Sequence, residues 1–92
     1  MNENDELIAA AELGDETKRF LESDLGKIMI GMARQDVALA QEALERVDPE
    51  DAKAVRKLQN DAYLGRTFEQ WLVELLDKGE SAMSVFKQSQ ES

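Results

Sequence analysis

The sequence has no cysteine and no histidine. These absences remove disulfides, thiolate nucleophiles, imidazole bases and the usual zinc ligand sets. Basic residues are scarce: 11 Lys and Arg stand against 20 Asp and Glu, for a net charge of -9. A chain this acidic lacks the cationic clusters that neutralise phosphates, so direct nucleic-acid binding is not expected. An anionic membrane surface is disfavoured for the same reason. No long hydrophobic run exists. The longest nearly unbroken apolar stretch, residues 28–33, is too short to cross a bilayer. There is no strand-like period-two alternation, no internal repeat, no phosphate-binding glycine loop and no serine in a nucleophile motif.

What remains is a 92-residue chain, 42% hydrophobic, with one proline and five glycines. That length gives one domain at most, and the apolar content suffices for a core. Below roughly 80 residues a single core rarely gives more than about 3–5 kcal/mol, so support from idealised helix packing or from a partner is expected. The charge is uneven. Residues 1–16 carry six acids and no base, while the other 76 carry 14 acids and 11 bases. The start, Met1-Asn2-Glu3-Asn4-Asp5-Glu6, is acidic where an export signal would be basic. The expectation is a soluble intracellular protein.

The single proline marks a turn. Asp48-Pro49-Glu50-Asp51 reads as a helix start, with Asp48 as N-cap and Pro49 at the first helical position. The helical pattern then runs to Lys78, and Gly79 supplies a stop. Upstream, Leu25, Ile28, Met29, Met32, Leu39, Ala40, Ala43 and Val47 recur at helical spacing, predicting a first long helix over 24–47. A link of only residues 47–49 makes the pair an antiparallel hairpin. The expected fold is therefore all-α: one helical domain over 1–92, built on a long antiparallel hairpin over 24–78. A short N-terminal helix packs against it. An acidic helical arm occupies 1–22, with a candidate helix over 7–13 ended by Gly14, and whether residues 15–25 run into the long helix is left open. A short turn and a frayed polar tail occupy 80–92.

The second long helix carries two apolar faces. Val55, Leu58, Ala62, Leu72, Val73 and Leu76 fall in one arc, expected to face the first helix. Leu64, Phe68, Trp71 and Leu75 follow the i, i+4, i+7, i+11 rule on another side. One partner helix cannot cover both. Either the N-terminal segment folds back over the second stripe, or that stripe is a docking face for a partner or a second copy, where buried aromatics dominate binding energy.

Two polar residues break the pattern. Asp36 sits in the middle of the first helix's apolar arc, and Arg66 among Ala62, Val73 and Leu76 on the second. If the hairpin pairs residues whose numbers sum to about 97, the Arg66 guanidinium reaches Asp36. A buried pair that fixes register is the expectation. Glu42-x-x-Glu45 and Glu74-x-x-Asp77 resemble the magnesium site of all-α nucleotide pyrophosphatases. Hairpin geometry separates them by roughly 28 Å along the helix, so no metal or cofactor is expected. Lys53, Arg56 and Lys57 form a small basic cluster, explained by i,i+4 pairs such as Lys57–Asp61. Glu3, Asp5, Glu6 and Glu12 are either a soluble helix start or an acidic surface that imitates nucleic-acid phosphates.

A set of short motifs carries a resemblance. They are Phe20-Leu21-x-Ser23-x-Leu25-Gly26, Ala38-x-x-x-Glu42-Ala43-Leu44, Val47-Asp48-Pro49-x-Asp51, Leu58-Gln59-Asn60, Phe68-x-Gln70-Trp71-Leu72 and Gly79-Glu80-x-Ala82. Over residues 20–82 the chain resembles small proteins of tailed bacteriophages and prophages. No activity is assigned to that family, so no functional residue is carried over. The resemblance implies a setting: a host bacterial cytoplasm, or the virion itself. The expected function is non-enzymatic, a virion structural or morphogenesis component. It would act by helix-face docking through Leu64, Phe68, Trp71 and Leu75 onto a phage structural protein, a host protein or its own copies. The alternative is a small acidic inhibitor of a host enzyme or defence complex.

Overall fold

The computed structural model describes residues 2–91; Met1 and Ser92, the ends of the expected arm and tail, lie outside them. The described residues form three helices and no strand: α1 (Glu3–Glu22), α2 (Asp24–Arg46) and α3 (Ala52–Glu91), of 20, 23 and 40 residues. The protein is all-α, and α1 and α2 each contact α3. Contacts group the chain into two compact units, residues 1–26 with 71–92, and residues 27–70.

In the first unit, α1 begins with a reciprocal cap. Asn2 Oδ1 accepts from the Asp5 N–H at 2.9 Å, and Asp5 Oδ2 accepts from the Asn2 N–H at 3.5 Å. Glu3, Asp5 and Glu6 in the first turn complement the helix dipole. The helix does not stop at Gly14, as its sequence suggested, and α3 does not stop at Gly79. Both glycines are helical and buried because they face each other. A Cβ on Gly14 would lie 2.8 Å from Gly79 Cα and 3.2 Å from the Leu75 carbonyl oxygen. A Cβ on Gly79 would lie 2.7 Å from Gly14 Cα and 3.2 Å from the Ala10 carbonyl oxygen. The two glycines let the backbones touch. So α1 is a 20-residue helix rather than a short one, and residues 80–91 continue α3 rather than forming a turn and tail. Thr17 and Ala82 are buried with them, and the Thr17 hydroxyl is satisfied by the Leu13 carbonyl at 2.7 Å.

Ser23 decides the open question over residues 15–25 by breaking the chain between α1 and α2. Its N–H donates to the Arg19 and Phe20 carbonyls at 3.0 and 3.1 Å, ending α1. Its hydroxyl donates to the Phe20 carbonyl at 2.5 Å and accepts from the Gly26 N–H at 3.0 Å, starting α2.

In the second unit, residues 47–51 connect α2 to α3. The Asp51 N–H donates to the Asp48 carbonyl at 2.9 Å and the Glu50 N–H to Asp48 Oδ1 at 2.9 Å. These bonds hold Pro49 in a turn, one stage before the helix. Asp51, not Asp48, is the N-cap of α3, its Oδ1 accepting from the Ala54 N–H at 3.1 Å. Small residues form the contact line. Gly65 lies against Ala33 and Val37, where a Cβ would come 2.5 Å from Val37 Cγ2 and 2.9 Å from the Ala33 carbonyl oxygen. Ala40 and Ala62 are buried. Ala43 and Leu58 share a groove nearer the turn. Gly65 of α3 thus lies beside Ala33 and Val37 of α2.

Candidate functional site

In the second unit an open groove of about 690 Å³ lies between α2 and α3. Its walls include Leu39 and Ala43 from α2, and Leu58, Leu64 and Phe68 from α3. Asp36 and Asp61 add carboxylates to its lining. The groove follows from the contact line. Because α2 touches α3 through Ala33, Val37 and Ala40, the larger residues on its adjacent side have nothing to pack against. Ile28, Met32 and Leu39 lie within about 40° of one another around the helix, at i, i+4 and i+11. They are 60%, 60% and 55% exposed. On α3, Leu64 is 58% exposed and Phe68 half-buried.

The expected docking stripe is thus divided. Leu64 and Phe68 line this groove. Trp71 and Leu75 belong to the other unit, where Trp71 is 61% exposed and Leu75 is half-buried, its carbonyl oxygen near Gly14 of α1. In that unit α1 does fold back towards this side of α3, yet it leaves Trp71 open. The expected buried pair does not form. Asp36 and Arg66 are both exposed, because the rotation that brings Ala33, Val37 and Ala40 into contact turns Asp36 to the groove's edge. An ion pair between α2 and α3 forms instead from Arg34 Nε and Glu69 Oε1 at 2.6 Å. The Glu69 hydrogen bond and charge raise the Arg34 pKa above its ordinary value. Exposed as it is, the pair adds little stability but marks the register. Sequence reasoning missed it, and missed that Ile28, Met32 and Leu39 face outward. Their helical spacing is the same whichever way the helix is turned.

The acids sort into local roles. Glu42 accepts from Arg46 at 2.9 Å, and Lys57 pairs with Asp61 at 3.2 Å as expected. Glu3, Asp5, Glu6 and Glu12 are exposed on α1, with Asp5 in the cap and Glu12 beside a second apolar groove lined by Leu7, Ile8, Met83 and Phe86. Among the described residues no three acids converge as a metal site would require. No helix among them is long and apolar enough to cross a membrane.

Comparison with protein-family models, with curated proteins and with solved structures finds no match for this chain.

Proposed function

We propose that this chain is a non-enzymatic interaction protein that works by docking a helix face onto another protein. In this reading residues 27–70 act as a helical hairpin whose groove is the docking surface, with Leu64 and Phe68 from the expected stripe and Ile28, Met32 and Leu39 beside them. One observation carries the reading: Leu39 and Leu64, each more than half exposed, line one groove together with Phe68, unlike apolar residues scattered singly. The resemblance to phage-encoded proteins supplies the setting, a virion structural or morphogenesis component. On the other unit Trp71 is itself 61% exposed and is the aromatic best suited to anchor a partner there.

The test is a pull-down from phage-infected bacterial lysate with tagged wild type, Leu39→Glu/Leu64→Glu and Trp71→Ala proteins, bound proteins being identified by mass spectrometry. Capsid, portal or tail proteins captured by wild type and lost with the apolar variants, at low and high salt alike, support the proposal. Capture of a host enzyme or defence complex that survives the apolar variants would overturn it. If that capture also fell steeply with salt and with charge reversal at Glu3, Asp5, Glu6 and Glu12, the acidic-inhibitor reading would take its place.

A further inference from the structure

We infer that the groove between α2 and α3 is filled by a second copy of this chain, so that two copies of residues 27–70 make a four-helix bundle. The inference rests on the docking reading and names its first partner. Three observations carry it.

The first is area. The chain exposes 7115 Å². A folded monomer of 10.3 kDa is expected to expose roughly 5,400 Å². The surplus is about 1,700 Å² per chain and is shared by both units; within residues 27–70 it includes Ile28, Met32, Leu39, Tyr63 and Leu64, each more than half exposed. The second is the core. Among the described residues no large side chain is fully buried, and the buried apolar residues are Ala40, Ala62 and Ala82. Two helices alone cannot enclose their apolar side chains, whereas four can. The third is charge, which chooses between the two units. Residues 27–70 hold eight acids and seven bases, a balance of -1, while residues 1–26 with 71–92 hold twelve acids and four bases, a balance of -8. Self-association through the second unit brings almost no net charge together. Through the first it would oppose two strongly acidic surfaces.

The arrangement is isologous. Ile28, Met32 and Leu39 of each copy enter against Leu64 and Phe68 of the other, each surface serving as both wedge and groove. Asp36, at the groove's edge, is the polar residue that limits how far the copies can slide, as single polar positions do in helical bundles.

The experiment is sedimentation equilibrium of the full chain, wild type and Met32→Glu/Leu39→Glu, over a concentration range up to about 100 µM. Wild type should give twice 10.3 kDa. The variant should raise the dimer Kd at least about 100-fold, since each copy would bury two unpaired carboxylates. Both substituted side chains are exposed in the single chain, so far-UV circular dichroism should show unchanged helicity. As a second readout, the chain has no cysteine, so an equimolar mixture of Leu39→Cys and Leu64→Cys chains should form a mixed disulfide-linked dimer under mild oxidation, and a mixture of Lys18→Cys and Leu64→Cys chains should not. A wild type that stays at the monomer mass overturns the inference, and so does a dimer that the double variant leaves intact. If a monomeric wild type still captures a phage structural protein through Leu39 and Leu64, the docking reading survives and only the second copy is lost. If a monomeric wild type captures nothing that the apolar variants lose, both fall.

Discussion

Gly14, Gly79 and Gly31 are all helical, yet the structure assigns them opposite responses to alanine. In an exposed helix interior alanine is favoured over glycine by about 0.8–1.0 kcal/mol. At Gly31 a Cβ meets nothing within 4 Å, so Gly31→Ala should stabilise by close to that full amount. At Gly14 the new methyl would sit 2.8 Å from Gly79 Cα and 3.2 Å from the Leu75 carbonyl oxygen. Ordinary carbon contacts lie near 3.5–4.0 Å, so the backbones must part by several tenths of an ångström or more. Neither neighbour is a flexible side-chain end that could swing away. Overpacking of this kind costs about 1–3 kcal/mol, against which the propensity gain returns about 1. Gly14→Ala should therefore fall about 1–3 kcal/mol below Gly31→Ala on the same scale. Gly79→Ala should behave like Gly14→Ala. The double variant should be worse than the sum of the two, because its methyl groups would meet each other. Urea unfolding followed by far-UV circular dichroism measures this as midpoint shifts, at matched concentrations so that self-association does not enter. Equal upward shifts for Gly14→Ala and Gly31→Ala would refute the backbone-to-backbone crossing of α1 and α3.

Further expectations follow from the caps and the helix contacts. Ser23→Ala should lower stability by about 1 kcal/mol in urea unfolding, since the hydroxyl both caps α2 and bonds the end of α1. Asp51→Ala should cost about 0.5–2 kcal/mol and Asp51→Asn much less, because the asparagine oxygen can still accept from the Ala54 N–H. Ala62→Leu should destabilise by about 1–3 kcal/mol, as it enlarges a side chain on the buried contact line. Arg34→Ala should shift the unfolding midpoint less than Ser23→Ala does, and the shift should shrink further in high salt, because the Glu69 pair is exposed.

Much of the local structure was legible in the chain. The missing period-two alternation and the helical spacing of Leu25 through Val47 point to an all-α protein. The span of α2, the turn around Pro49 and the Lys57–Asp61 pair all depend on residues within a few positions of one another. Such short-range geometry is set by backbone preferences and side-chain spacing alone. The errors began where two segments distant in sequence meet. Gly14 and Gly79 look like helix ends because glycine usually serves there, and nothing near either one reveals that the other sits against it. Asp48 and Asp51 are both good caps by type, and the turn hydrogen bonds choose the second.

By itself, the sequence determined that the chain is helical, that its helices break around Pro49, and that its large apolar residues outnumber what two helices can hide. The tertiary structure decided which side of each helix is hidden. Helical periodicity defines an apolar arc but not the line of closest approach within it, and that line went to Ala33, Ala40, Ala62 and Gly65 because small residues let backbones come near. Ile28, Met32, Leu39 and Leu64 were left outside, Arg34 met Glu69, and Asp36 and Arg66 turned to the surface.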